Sequence, residues 1–267
     1  TNNHFGKAVV NFELSNQLIK DYFNSNAYRI TVLPGFIASS IDGYSTTLGR
    51  GGSDYTAAIL AGALNAELLE IWTDVSGMFT ANPKIVKQAQ PIETISYQEA
   101  MELSHFGAKV LYPPTIQPIL KLNIPIVIKN TFEPEAAGTY ISSERNKNEN
   151  PIKGISHIDN IALLTLEGPG MIGVSGSSKR LFEVLSFENI NVIFITQASS
   201  EHSICIGILN DDAKIAQVAI DKAFEIEIFQ NKINESVVEE NLCIIALVGE
   251  NMKNHQGLSG KMFSTLG

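Results

Sequence analysis

The chain has 267 residues, of which 44% are hydrophobic and 18% are charged, and its formal net charge is −9 at pH 7. This is the composition of an ordinary globular protein, with enough apolar material for one large domain or two to three small ones. The negative charge disfavours nucleic acids and anionic membranes as partners, because both would be repelled, and the apolar runs are too short to span a bilayer.

Strands and helices alternate over the first 141 residues. A strand is predicted to end at Leu33, a helix covers 53–66, and a second strand covers 68–75. The next helix begins with a capping box made by Ser96 and Glu99. A short helix and a buried strand follow, at 113–123 and 124–130. This order predicts a mostly parallel α/β sheet, whose ligands bind beyond the carboxyl ends of the strands.

The polar stretch SSERNKNENPIKG, residues 142–154, is the clearest domain boundary in the chain. Beyond it, the pattern changes to the βαββαβ order of a ferredoxin-like domain. The predicted strands and helices lie, in chain order, at 161–166, 178–187, 191–196, 203–208 and 213–224.

An internal repeat spans this second half. The stretch LLTLEGPGMIGVSGSSKRLF aligns with IIALVGENMKNHQGLSGKMF at a constant offset of 81 residues, so that Gly176 pairs with Gly257. We therefore expect one small domain over 155–235 and the start of a second, truncated copy over 236–267. Since the chain lacks an initiator methionine and stops within an apolar pattern, it is interpreted as a fragment of a longer protein.

The stretch GRGGSD, from Gly49 to Asp54, precedes the helix predicted at 53–66. Glycines let a ligand approach the backbone, and a helix N-terminus offers free N–H groups to an anion. A tight turn that only caps the helix is the alternative. Arg50 favours a binding site, because its planar side chain grips a carboxylate through two hydrogen bonds. A P-loop is excluded, since the lysine it requires after the last glycine is replaced by serine.

The stretch GPGMIG, Gly168–Gly173, matches the G-x-G-x-x-G pattern of dinucleotide sites. Two observations count against that function. The next strand ends in Thr196–Gln197, with no acidic residue for a ribose hydroxyl. The second copy of the repeat has Asn251 and Asn254 in place of two of the glycines.

The lysine, histidine and cysteine residues outside these motifs give weaker indications of function. Lys109, in the loop FGAKVLYPPT, is either a solvated surface charge or a phosphate contact. The five histidines lack the spacing of metal ligands, so no metal site is predicted. Cys205 and Cys243 lie in apolar runs and are predicted to be buried, unpaired side chains, which is typical of a reducing, cytoplasmic location.

Several long motifs resemble those of one enzyme family. The stretches TLGRGGSDYTAA, IWTDVSGMFTANPK, SYQEAMELSHFGAKVLYPPTIQPI and IPIVIKNTF resemble the aspartokinases, and PIKGIS, EGPGMIG and FITQASSEHSI resemble their regulatory ACT domains. The resemblance covers nearly the whole chain, and it is strongest to the aspartokinase part of bifunctional aspartokinase–homoserine dehydrogenases. It implies an αβα sandwich of the amino-acid kinase type over 1–141 and ferredoxin-like ACT domains after the linker at 142–154.

The resemblance implies that the γ-phosphoryl group of ATP is transferred to the β-carboxylate of L-aspartate, the first step towards lysine, threonine and methionine. A carboxylate is an anion at pH 7 and needs no general base, so such a site mainly positions its substrates and neutralises charge. Mg²⁺ would be held by the nucleotide phosphates. NADP would bind only to a homoserine dehydrogenase domain outside this chain.

The motifs also imply roles for individual residues. Arg50 would grip the aspartate substrate, with Phe36, Ser53 and Asp54 beside it, and Arg50 and Lys109 would be the catalytic residues. The nucleotide would contact Thr73, Asp74, Phe79, Lys84, Lys109 and Val110.

This sequence departs from the family at three places. The family often has tyrosine in place of Phe79 and arginine in place of Lys84, so a hydroxyl contact and a bidentate contact are replaced. The family's N-terminal Lys-x-Gly-Gly-Thr-Ser motif is missing, and with it a phosphate-binding lysine. We therefore expect the 267-residue chain alone not to phosphorylate aspartate. The alternative function for the isolated chain is an inactive, amino-acid-sensing dimerisation module.

The ACT half implies an amino-acid effector bound at paired domains, and hence a homo-oligomer. Gln197 is the expected contact, because an amide both donates to and accepts from a zwitterion. A polar strand end facing water is the alternative for this residue. The backbone of Gly170, Met171 and Ile172 would line the same pocket. Threonine is the expected effector, and lysine is the competitor.

Overall fold

The computed structural model describes residues 1–6, 8–105, 110–144, 150–171, 176–197 and 202–267, apart from the side chains of Lys253 and Asn254. The chain divides into two compact units. The first unit comprises Thr1–Ser156 and Ala246–Gly267, and the second comprises His157–Ile245.

The first unit is built on a mixed sheet. Its strands are β1 Ile37–Ser39, β2 Ser45–Thr47, β3 Leu69–Thr73, β4 Thr94–Ser96, β5 Ile126–Asn130 and β6 Thr139–Ser142. The helices up to residue 156 are α1 Phe12–Ser25, α2 Gly52–Leu64, α3 Tyr97–His105 and α4 Gln117–Leu120. β1 and β2 form a separate antiparallel pair, and the other strands lie in the order β3-β5-β6-β4. The pairs β3–β5 and β4–β6 are parallel, as predicted, whereas β5 and β6 are antiparallel.

Aliphatic side chains form the core of this unit. Alternation along β5 buries Ile126 and Ile128 completely, and α2 contributes Ala58 and Ala61 to the same cluster. Full burial of an isoleucine side chain stabilises a fold by about 1.5–3 kcal/mol. The small residues on α2 allow this helix to pack closely, which holds its N-terminus in place.

The predicted capping box at the start of α3 is confirmed. The Glu99 N–H donates to Ser96 Oγ at 3.1 Å, and the Ser96 N–H donates to Glu99 Oε2 at 3.2 Å. The second carboxylate oxygen of Glu99 accepts the Glu250 N–H at 3.0 Å, and Ser96 Oγ donates to Glu250 Oε1 at 3.0 Å. One helix cap therefore also anchors the chain at residue 250.

The second unit is the predicted ferredoxin-like βαββαβ domain. Its strands are β7 Gly154–Glu167, β8 Phe194–Gln197, β9 Ser203–Leu209 and β10 Val237–Val248, and its helices are α5 Ser177–Phe187, α6 Ala213–Ala223 and α7 Glu225–Phe229. The strands lie in the order β10-β7-β9-β8, and β9 is antiparallel to both β7 and β8. Leu164, Leu166 and Ile206 are fully buried in its core.

The glycines of GPGMIG pack against the segment before β10. A Cβ atom on Gly168 would lie 2.5 Å from Ile233 Cα, and one on Gly170 would lie 2.6 Å from Lys232 Cβ. The Gly170 N–H donates to the Lys232 carbonyl at 2.7 Å. Close packing therefore accounts for these two glycines, without a dinucleotide.

The internal repeat recurs as local structure. After β7, a 3₁₀ turn at Pro169–Met171 and Gly176 at φ +102° lead into α5. After β10, a 3₁₀ turn at Glu250–Asn254 and Gly257 at φ +83° lead into α8, Leu258–Leu266. The structure groups α8 with the first unit, whereas we predicted the start of a second ACT domain there; the domain bounds stay predictions.

Two local predictions were wrong. No strand ends at Leu33: the described residues offer this segment no partner strand, and Ile30 and Val32 are 78% and 90% exposed. The two cysteines are unpaired as predicted, but Cys205 is only half-buried and Cys243 is exposed. Cys243 lies on β10, which among the described residues is an edge strand with a neighbouring strand on one side.

We expect Ser96→Ala to lower the free energy of unfolding by about 1 kcal/mol, because the cap of α3 and the bond to Glu250 are lost together. Urea titration measures this change. Ser264→Ala, at an exposed position of α8, is the matched control and should leave the value nearly unchanged. Equal effects of the two substitutions would contradict the structural role of the cap.

We expect Gly168→Ala to lower the free energy of unfolding by about 1–3 kcal/mol, because the added methyl group meets backbone atoms. Gly260→Ala is the control. No atom would lie within 4 Å of its methyl group, and alanine is the better helix former, so this variant should be as stable as the unchanged chain or more so. Thermal unfolding compares the two; a stable Gly168→Ala protein would show that the packing is not tight.

Candidate active site

The loop before α2 is shaped by its backbone. Gly51 is the N-cap of α2 and has left-handed φ and ψ angles of 67° and 17°. The Gly52 N–H donates to the Gly49 carbonyl at 3.1 Å. Because the N-cap is a glycine, no N-cap side chain occupies the first-turn N–H groups that follow Gly52, so these remain suited to an anionic ligand.

Phe36 packs over this loop. A Cβ atom on Gly52 would lie 2.8 Å from Phe36 Cδ2, and the Phe36 N–H donates to Thr56 Oγ1 at 3.1 Å. Phe36 itself has a φ of +73°, which is uncommon for a residue with a side chain. The structure thus brings Phe36 to the start of α2, against Gly52.

Charged groups of both signs lie at this helix start. The Arg50 side chain is exposed, and Asp54 is partly buried on the first turn of α2. Burial raises the pKa of the Asp54 carboxyl group, and the Ser53 hydroxyl, which donates to it at 3.5 Å, lowers that pKa in part. A carboxylate that burial destabilises gains from a cationic partner, such as the ammonium group of an amino acid.

A second polar cluster lies at the carboxyl ends of β3 and β5. Thr73 Oγ1 donates to Asp74 Oδ1 at 3.2 Å. The buried Asn130 donates to Ser76 Oγ at 2.9 Å, and Ser76 donates to Glu133 Oε2 at 2.7 Å. Asn130 therefore ties the turn after β3, which begins beyond Thr73 and Asp74, to the end of β5.

The loop that carries Phe79 and Lys84 is held by one buried hydroxyl group. Thr139 Oγ1 accepts the Met78 N–H at 2.8 Å and donates to the Ile92 carbonyl at 2.6 Å. Phe79 is half-buried and forms an isolated bridge with Pro91, whereas Lys84 is exposed. Thr139 therefore holds the two ends of this loop, Met78 and Ile92, together.

Lys109 lies outside the described residues, but the segment that follows it is described. Val110 is half-buried and packs against the core of the first unit. A Cβ atom on Gly51 would lie 2.6 Å from Tyr112 Cβ, so Tyr112 contacts the glycine loop directly. The chain after Lys109 thus lies next to the loop that carries Arg50.

The motifs that carry Asp74 and Arg50 follow strands of different sheets. Thr73 and Asp74 do follow β3 of the four-stranded sheet. GRGGSD instead follows β2, which belongs to the separate pair β1–β2. GRGGSD therefore lies beyond the carboxyl end of a strand, as expected, but among the described residues that strand pairs with β1 and is not part of the four-stranded sheet.

The predicted effector residues are only partly described. Gln197 ends β8 and is exposed. The Gly170 N–H is already bonded to the Lys232 carbonyl, and Met171 is buried in the core of the second unit. Ile172 lies outside the described residues.

Our interpretation of the sequence missed three residues that organise the site: Asn130, Thr139 and Tyr112. Asn130 and Thr139 act on partners 47 to 61 residues away, so no local pattern marks them. Tyr112 lies within the FGAKVLYPPT motif and could have been examined for that reason.

Two absences among the described residues bear on ligands and membranes. No group of three or more His, Cys, Asp or Glu side chains there could hold a metal ion. No helix in that part of the chain is both long and apolar enough to cross a membrane.

Comparison with known proteins gives matches over both units. Residues 1–130 match the amino acid kinase family, and residues 164–224 match an ACT domain. The bifunctional aspartokinase/homoserine dehydrogenase of Haemophilus influenzae is 42% identical over 238 residues, which are 89% of this chain and 29% of that protein. The chain spans about three tenths of the length of such bifunctional relatives.

Solved aspartate kinases are similar over nearly the whole chain. The Clostridium acetobutylicum aspartate kinase has a TM-score of 0.81 at 32% identity, with 96% of this chain and 58% of that chain covered. E. coli aspartokinase III in complex with aspartate and ADP (R-state) has a TM-score of 0.79 at 32% identity, covering 100% and 59%. The same enzyme with lysine and aspartate (T-state) has a TM-score of 0.72 at 33% identity, covering 100% and 58%.

These matches extend in order from the glycine loop to the ferredoxin-like unit. Residues 1–130 therefore belong to the amino acid kinase family and residues 164–224 to the ACT domains, and the chain as a whole is similar to the aspartokinase part of bifunctional aspartokinase/homoserine dehydrogenases.

Proposed function

We propose that the full-length gene product is an aspartate kinase, which forms 4-phospho-L-aspartate and ADP from L-aspartate and ATP. The contact of Gly51 with Tyr112 is the observation that supports this most, because it places the Arg50 loop beside the segment that follows Lys109. The E. coli relative solved with aspartate and ADP supports both substrates.

The proposed reaction needs no proton transfer. A β-carboxylate oxygen of aspartate attacks the γ-phosphorus of ATP, the bond to the bridging oxygen breaks, and ADP leaves. Arg50 would hold a carboxylate of aspartate through two hydrogen bonds. Asp54, with Ser53, would accept the substrate ammonium group, and Phe36 would form the apolar wall of the site.

The nucleotide would bind at the ends of β3 and β5. The hydroxyl of Thr73 and the carboxylate of Asp74 suit the polar edges of adenine and ribose, and this donor set fits a nucleotide. The remaining contacts would come from Phe79, Lys84, Val110 and Lys109, with the lysine side chains on phosphate. Mg²⁺, carried by the phosphates themselves, supplies further charge neutralisation when bound.

In the full-length gene product, we expect Arg50→Ala to lower kcat/KM for aspartate roughly ten- to over a hundredfold. The reason is the loss of charge-assisted hydrogen bonds of about 1.5–3 kcal/mol each. The kcat/KM of Arg50→Lys should lie between those of Arg50→Ala and the unchanged enzyme, because lysine keeps the positive charge but lacks the planar guanidinium group. Steady-state kinetics with varied aspartate measures the effect.

Arg29→Ala is the matched control, since Arg29 is exposed and lies outside the site. Equal kcat/KM values for Arg50→Ala and the unchanged enzyme would remove Arg50 from the aspartate site. They would leave the kinase proposal itself standing.

We also propose that the second unit binds an amino-acid effector. Gln197 would contact its amino and carboxylate groups from the end of β8. Since the Gly170 N–H is occupied, Gly170 would act through its carbonyl oxygen. Threonine is our proposed effector, and lysine, which is bound in the structure of the E. coli relative, is the competitor.

We expect Gln197→Ala to weaken threonine binding to the full-length gene product by roughly tenfold, the effect of about one lost hydrogen bond to a charged group. Isothermal calorimetry with threonine, and separately with lysine, measures this. Gln230→Ala, an exposed glutamine at the end of α7, is the control and should bind as the unchanged protein does. Identical heats for both variants would contradict the assignment.

A second candidate function applies to the 267-residue chain by itself. The second unit has its own buried core, which supports an amino-acid-sensing, dimerising module without kinase activity. An assay of the purified chain for aspartate-dependent ADP formation distinguishes the two functions, and measurable activity would exclude this alternative.

The kinase proposal also includes a cytoplasmic location and a homo-oligomer. It further includes a homoserine dehydrogenase domain that binds NADP in the full-length protein.

A further inference from the structure

Tyr112 lies where the two halves of the proposed active site meet. A Cβ atom on Gly51 would lie 2.6, 2.7 and 2.8 Å from Tyr112 Cβ, Cγ and Cδ1. These are the first atoms of the tyrosine side chain, which cannot move aside as the end of a long side chain can. The root of the ring therefore rests directly on the Gly51 backbone.

Tyr112 is itself held firmly by its own segment. It precedes the 3₁₀ turn Pro113–Ile116, whose two prolines restrict the backbone, and its carbonyl accepts the Thr115 N–H at 2.8 Å. Leu111 and Ile116, on either side, are buried in the core of the first unit. The ring is thus a fixed surface against which the glycine loop lies.

Arg50 takes its position from Gly51. The two residues share a peptide bond, and Gly51 forms the left-handed N-cap of α2. The Arg50 side chain is exposed, so no packing of its own fixes it. A shift of the Gly51 backbone would carry Arg50 with it.

Carbon atoms of the Tyr112 side chain make this contact. Burial raises the pKa of the neighbouring Tyr55 phenol, and the nearby Tyr112 phenol raises it further. Tyr55 is therefore neutral at pH 7, so its ring adds no charge at the start of α2.

We infer that Tyr112 is a positioning residue for aspartate: its ring fixes the Gly51 backbone, and hence Arg50, relative to the segment that follows Lys109. This inference rests on the proposed kinase function. Since an error of about 1 Å in placing a substrate costs up to a hundredfold in rate, the contact matters for binding and turnover of aspartate.

The test uses the full-length gene product and measures KM for aspartate, KM for ATP and kcat. Tyr112→Ala removes the ring, and Gly51→Ala disturbs the same contact from the other side. We expect each to raise KM for aspartate by roughly tenfold or more. Tyr112→Phe keeps the ring and should keep the KM of the unchanged enzyme.

The double variant Gly51→Ala/Tyr112→Ala should be no worse than the more damaged single variant, because both substitutions break one contact. Tyr140→Ala, at a half-exposed tyrosine of β6, controls for the loss of a ring elsewhere. Thermal unfolding of every variant gives the folded fraction.

The outcomes are distinguishable. A lower kcat with an unchanged KM for aspartate would show a loss of folded enzyme only and would overturn the inference, as would a tenfold rise in KM for Tyr112→Phe. No aspartate-dependent ADP formation by the unchanged full-length protein would contradict the kinase proposal itself. A raised KM for aspartate in both alanine variants, with rescue by phenylalanine, supports the inference.

Discussion

Segments of this chain approach one another more closely than a side chain on the backbone would allow. Gly51 lies under the root of the Tyr112 ring, and Gly168 lies against the backbone of Ile233. Only glycine permits such contacts, because any Cβ atom would overlap the facing atoms. The positions of the loop before α2 and of the loop after β7 therefore both require a glycine at the point of contact.

This constraint has different results in the two units. In the first unit, a glycine N-cap leaves the first-turn N–H groups of α2 without an N-cap side chain, beside Arg50 and Asp54. In the second unit, the same kind of packing uses up a donor, since the Gly170 N–H is bonded to Lys232. Glycine-rich loops of similar appearance thus offer a ligand very different sets of hydrogen-bonding groups.

The sequence allowed the regular parts of the fold to be predicted. The capping box at Ser96 and Glu99 depends on residues three positions apart, and the βαββαβ order is the succession of short predicted strands and helices along the chain. The strand expected at Leu33 failed for the opposite reason, because a strand exists only where a partner lies beside it, and apolar residues alone do not supply one.

The candidate site was predictable where its residues form motifs and not where they act over a distance. Arg50, Thr73 and Asp74 stand in recognisable stretches. Thr139, which ties Met78 to Ile92, and Asn130, which holds Ser76, stand in ordinary strand sequence. Their importance arises from hydrogen bonds across the fold, which no local pattern encodes.

The capping box also has a consequence for local opening of the chain. Glu99 accepts the backbone N–H groups of Ser96 and Glu250 on separate oxygens, and these amides lie 154 residues apart in sequence. Fraying of the first turn of α3 therefore releases the chain at residue 250, and lifting that segment frees the helix start. The two amides should exchange their hydrogens with solvent as a single cooperative unit, although one ends the short strand β4 and the other lies near the end of the chain.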